Sequence, residues 1–155
     1  MPIASAIPGI LHVLAVVIWV GGMFFAYMAL RPVAAGLLEP PTRLGLWVGV
    51  FGRFFPWVWA SVALILATGL WMIATAFGGV GAAPVYVHLM YALGLVMMAL
   101  FLFVFFVPYR RLRRAVAAQD WPAGGRHLAV IRRVVGTNTL LGLVVVAVAY
   151  SKLTV

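Results

Sequence analysis

Four apolar runs, at about residues 3–30, 54–77, 84–107 and 134–150, constrain the fold more than any other feature of the chain. A helix needs about 20 consecutive apolar residues to cross the hydrocarbon core of a bilayer, and each run approaches or exceeds that length. Hydrophobic residues make up 66% of the sequence and charged residues 8%, whereas soluble domains carry roughly a quarter charged residues. The expected fold is all-α: a polytopic membrane protein forming one up-down-up-down bundle of four transmembrane helices, with short connections between antiparallel neighbours. The first run lacks a basic segment before it and continues to Leu30, so it reads as a spanning helix and not as a cleavable signal.

The connections carry the topology. Arg31-Pro32 is expected to end the first span, and Glu39, Pro40 and Pro41 to break any helix in the loop 33–53. Within that loop Leu44, Trp47, Val48 and Phe51 fall at i, i+3, i+4 and i+7, which predicts an interfacial helix or an extension into the second span. Gly78, Gly79 and Gly81 form an uncharged second loop, and Pro84 opens the third span. Pro108 closes it, followed by seven arginines from Arg110 to Arg133 around Asp120-Trp121-Pro122. The first and third loops hold Arg31, Arg43, Arg53 and those seven, so the positive-inside rule makes them cytoplasmic. Both termini then face the outside, the periplasm of a bacterial inner (plasma) membrane. The net charge of +9 belongs to these arginines, which abut apolar spans, so its expected partner is anionic lipid and not nucleic acid. With no cysteine, disulfide frameworks, thiolate metal sites and iron–sulfur clusters are excluded.

Two histidines lie inside spans, where an ionisable side chain marks function by default. His12 follows Pro8 by four residues and His88 follows Pro84 by four. His12 is 19 residues before Arg31 and His88 is 22 before Arg110, about 28 and 33 Å at ~1.5 Å per residue. The first and third helices of such a bundle are diagonal, roughly 11–14 Å apart given neighbours at about 8–10 Å. That gap suits a haem b held by His12 and His88 as axial ligands. Trp19 and Gly22 on the first helix, and Tyr91 and Ala92 on the third, are the expected cofactor-packing residues, the small ones making space and the aromatics packing on the ring. Small residues also let helices approach with no cofactor at all. Lys152 is a candidate partner for a haem propionate, and His127, among arginines, reads as solvated surface.

Other residues carry less. Met23, Met28, Met72, Met90, Met97 and Met98 would suit Cu(I), which soft thioethers select, but methionine is also an ordinary core filler. Thr68, Thr137, Asn138 and Thr139 lie within or at the edge of spans and are assigned no chemistry. The only carboxylates, Glu39 and Asp120, fall in the arginine-bearing loops, which argues against a proton pump or a hard-cation site.

The run His12-x6-Trp19-Val20-Gly21-Gly22 and the later Thr68-Gly69-Leu70 resemble the CopD-like family of bacterial inner-membrane proteins, and the likeness covers nearly the whole chain. That resemblance implies copper resistance or uptake. The layout is also similar to that of the HemJ-type protoporphyrinogen oxidases, four-helix proteins that bind haem b. Their third helix begins with a pattern like H-V-K-L-A-L, and here the run is His88-Leu89-Met90-Tyr91-Ala92-Leu93. Met90 replaces that family's lysine, and its arginine falls on an apolar stretch near Met28, so this resemblance implies haem binding and not protoporphyrinogen oxidation.

The leading expectation is therefore a b-type haem protein that moves electrons between a membrane quinol and a periplasmic redox partner. Two axial histidines would leave no open position for oxygen. Copper transport or resistance through His12, His88 and the methionines is the principal alternative. A haem-synthesis enzyme and a cofactor-free assembly subunit follow, and the oligomeric state is left open.

Overall fold

A computed structural model of the chain describes the backbone over residues 3–151 and the side chains over residues 6–151; Lys152 lies outside the described residues. Among the described residues six α-helices are arranged as four long columns: α1 (Ile3–Phe25) continued by α2 (Arg31–Leu37), then α3 (Pro40–Phe77), then α4 (Val85–Val104) continued by α5 (Arg110–Ala117), and finally α6 (Trp121–Ser151). All four columns are long and apolar enough to cross a membrane. The fold is the expected all-helical, four-span arrangement.

The helices run past the predicted limits because proline bends them without stopping them. Pro32 has no N–H, and its ring crowds the carbonyl four residues back. The chain answers with a wide π-turn over Ala26–Leu30, closed by Arg31 N–H donating to Ala26 O, and helix resumes as α2. Pro108 sits inside a second wide turn, Phe105–Tyr109, which joins α4 to α5. The true break after the first column comes at Leu38–Glu39, where Glu39 turns extended and Pro40 starts α3. The Leu44–Phe51 stripe is the first part of α3, so it is the helical extension and not a separate interfacial helix. After α5, Gln119 adopts positive φ, and Asp120 Oδ1 accepts the Ala123 N–H at 2.9 Å as the N-cap of α6. Arg126, Arg132 and Arg133 therefore lie on the long last helix, not in a loop before it.

The columns form two hairpins, α1–α3 and α4–α6, with α6 also against α1 and α3. Two kinds of contact hold them. Between α3 and the third column lies a sheaf of rings, in which Phe55 meets Phe101, Phe105 and Tyr109 at centroid distances of 5.6, 5.8 and 4.8 Å. Trp59 adds Phe101 and Phe105 at 5.2 and 5.5 Å. Such pairs contribute about 0.5–1.5 kcal/mol each beyond the area they bury. Between α6 and the first column the backbones come close through glycine, as membrane interfaces favour. A Cβ on Gly142 would lie 2.8 Å from Val20 Cγ2, and one on Gly136 2.8 Å from the Tyr27 ring. One end of the bundle carries the arginines; the other carries the Gly78–Pro84 connection and both described chain ends.

Candidate functional site

At the arginine-poor end the helices diverge around a cavity of about 510 Å³. His12 is the single histidine on its wall. From α1 it is joined by Trp19, from α3 by Gly69 and Met72, and from α4 by Met90 and Tyr91, with Met97 and Met98 deeper. Most of the lining is apolar, as expected of a pocket built between membrane helices.

The seat of His12 explains a local piece of sequence. His12 Nδ1 and Thr68 Oγ1 are 2.9 Å apart, and the Thr68 hydroxyl donates its only hydrogen to Leu64 O, one turn back on α3. The threonine oxygen must therefore accept from the imidazole. His12 carries its proton on Nδ1, and Nε2 keeps its lone pair. A metal-ligating histidine is usually fixed by this kind of hydrogen bond from its other nitrogen. Gly69 faces the same ring, since a Cβ there would stand 3.4 Å from His12 Cε1, in van der Waals contact with it. One turn further along α3, the Met72 sulfur lies 4.0 Å from where a Cβ on Gly9 would be, over the turn that precedes His12. Thr68 was given no chemistry on sequence grounds. Only the facing of α1 and α3 shows what its hydroxyl serves.

His88 is elsewhere. It is exposed, it does not line the cavity, and its Nδ1 lies 3.2 Å from Pro84 O, four residues earlier. The proline-to-histidine spacing that the two sites share has a local cause at this one: the ring folds back onto the carbonyl of its own first turn. The levels differ as well. Thr68, level with His12, is nine residues before the end of α3, whereas His88 is three residues into α4. At ~1.5 Å per residue these are about 14 and 5 Å from the connection. The expected pair of axial imidazoles is thus not brought together, and the haem arrangement built on it has no seat of that form.

The other expected cofactor residues divide. Trp19, 3% exposed, and Tyr91 line the His12 cavity. Gly22 does not: its missing side chain makes room for the Phe54 ring, and it borders a different cavity. Ala92 is exposed on the outward face of α4. Of the methionines, Met72, Met90, Met97 and Met98 gather around the His12 cavity. Sequence separation hid this, since only Met90 is near a histidine along the chain.

Two further cavities continue down the bundle. A middle one of about 310 Å³ shares Trp19 with the first and contains Met23 and Asn138. Asn138 is 3% exposed; its Nδ2 donates to Met97 O at 3.3 Å, and its Oδ1 has no partner among the described residues. A third, of about 290 Å³ at the arginine-rich end, shares Ala26, Phe51 and Val135 with the middle one.

Among the described residues no three His, Cys, Asp or Glu side chains gather in one place. A metal held here would have to use imidazole and thioether, a soft donor set suited to Cu(I). No curated protein and no solved structure matches the chain. A family model described as copper resistance protein D matches residues 48–152, from early α3 to the end of α6. With two thirds of its length covered by that match, this four-span membrane protein belongs to the CopD family.

Proposed function

We propose that the protein handles copper in the membrane and that the His12 cavity is where Cu(I) is taken up. His12 Nε2 is the anchoring ligand, and thioethers from Met72, Met90, Met97 and Met98 supply the rest of the coordination in turn. The single observation that carries this reading is the seat of His12: a hydrogen bond to Thr68 that leaves one nitrogen lone pair free on the wall of a methionine-lined cavity. Among the described residues no carboxylate lines that wall, which disfavours hard cations. Neutral imidazole and thioethers bind Cu(I) without adding fixed negative charge, which suits an ion that must move on.

The stacked cavities supply a direction of travel. Past Trp19 the next donors are Met23 and the unpartnered Asn138 Oδ1, near mid-bundle. The arginine-poor end is the entry side, and the arginine-rich end faces the cytoplasm of a bacterial cell, following the charge bias. Copper is cargo in this reading.

Titration of the detergent-purified protein with Cu(I) against a chromophoric chelator, under reductant, tests the proposal. The wild type should hold about one Cu(I), and His12→Ala should lose it while melting within a few degrees of the parent. A purified protein that keeps no Cu(I) but shows a Soret band shifting on dithionite reduction would overturn the reading in favour of haem.

A further inference from the structure

We infer that the third cavity, at the arginine-rich end, is a binding site for the phosphate headgroup of an acidic phospholipid. Three arginines from three columns line it: Arg31 at the start of α2, Arg43 in the first turn of α3 and Arg132 on α6. Arg31 and Arg43 are half-buried, and Arg132 is exposed. Buried charge is costly unless it is paired. Neither carboxylate of the described chain serves here: Glu39 and Asp120 do not line the cavity, and Asp120 is occupied by the Ala123 N–H. Arg31 rests on the Tyr27 ring with 5.0 Å to the centroid, and Arg43 reaches only the Ala35 carbonyl at 3.4 Å. Most guanidinium N–H donors at the cavity therefore lack an acceptor among the described residues, and a phosphate oxygen is the acceptor that Arg geometry suits best.

The rest of the cavity selects a lipid over a free anion. Below the arginines its floor is buried and apolar, made by Leu44, Trp47, Phe51 and Ile131. That surface offers an acyl chain a wall and offers inorganic phosphate nothing. The position fits too, because the arginines lie at one end of helices long and apolar enough to cross a bilayer. Basic pockets between membrane helices bind acidic lipids on this principle. The two wide turns and the Leu38–Glu39 break all lie at this end, so the bound lipid would brace the columns where their regular helix is interrupted.

The test uses the full-length protein in neutral detergent, with phosphatidylglycerol, phosphatidylcholine or inorganic phosphate added stepwise. Native mass spectrometry counts adducts, and tryptophan emission reports on the cavity through Trp47 and Trp121. Phosphatidylglycerol should bind one to one and resist stripping, with little effect from phosphatidylcholine or phosphate. Arg132→Gln, at an exposed position, should weaken it roughly fivefold, the value of about one cation near an anionic headgroup. Arg31→Gln with Arg43→Gln and Arg132→Gln should weaken it on the order of a hundredfold. Arg110→Gln with Arg113→Gln and Arg114→Gln removes equal charge from α5, outside the cavity, and should leave affinity within twofold. Equal loss in that control would overturn the inference by showing diffuse charge attraction. Competition by millimolar phosphate would overturn it in favour of a free-anion site. Copper binding at the opposite end is read separately, so failure of one proposal leaves the other standing.

Discussion

Replacing Thr68 by valine removes one oxygen and keeps the branched shape. In the wild type that oxygen accepts from His12 Nδ1–H at 2.9 Å and so holds both the tautomer and the ring plane. Hydrogen bonds between membrane helices contribute about 0.6 kcal/mol on average and up to about 1.7. If that whole increment organises the imidazole for metal, its loss weakens Cu(I) binding by a factor of about 3 to about 20 at 298 K. The upper figure overlaps the tenfold to hundredfold range typical when an outer-shell partner of a metal ligand is removed. The Leu64 carbonyl keeps its helical N–H partner, so the fold should lose no more than that same increment. Chelator competition on purified Thr68→Val and Thr68→Ser proteins measures the effect, with unfolding in mixed micelles as the stability control. Thr68→Ser retains the hydroxyl and should bind within twofold of wild type. Should Thr68→Val also bind within twofold while His12→Ala binds nothing, the argument from the hydroxyl to the free lone pair fails.

His88→Ala should leave Cu(I) affinity unchanged within twofold by the same titration, because its ring serves the Pro84 carbonyl and does not line the cavity; a loss equal to that of His12→Ala would restore the two-histidine centre. Gly142→Ala should destabilise the bundle by about 1–3 kcal/mol of overpacking, partly offset by up to about 1 kcal/mol of helix propensity, since its Cβ would meet the stiff Val20 side chain at 2.8 Å; mixed-micelle unfolding reads the net change. Asn138→Leu removes the bond to Met97 O, about 0.6 kcal/mol, together with an unpartnered buried oxygen whose burial costs about 1–3 kcal/mol. The variant should be as stable as the parent or more so, and copper flux into proteoliposomes should fall if the amide passes the ion on; unchanged flux would remove Asn138 from the path.

What was legible in the sequence was whatever depends on one helix at a time. The four spans follow from apolar length, and the arginine bias needs no partner helix. His12 stood out because an imidazole in an apolar run is conspicuous wherever it points. What depends on two helices was hidden. Matched spacing after proline made His88 look like the twin of His12, but spacing along a chain does not say which way a ring turns. The four cavity methionines come from positions 72 to 98 on two helices, and only packing brings them to one wall. Gly22 looked like space for a cofactor, and the space is filled by Phe54. Pro32 and Pro108 read as stops, because the rule for proline states what it removes and not how a helix can widen around it.

Those widened turns have an effect at a distance. One additional residue in a helical turn rotates everything beyond it by about 100°. Beyond the second turn the inward stripe of Phe101, Val104 and Pro108 is carried on by Leu112 and Ala115, all buried. Leu112, fully buried, faces its neighbours, and the arginines flanking it on α5 face away. The prolines thus act as indexing marks that set the azimuth of the cationic tips, and shortening either turn by a residue would point those charges in another direction without changing a single one of them.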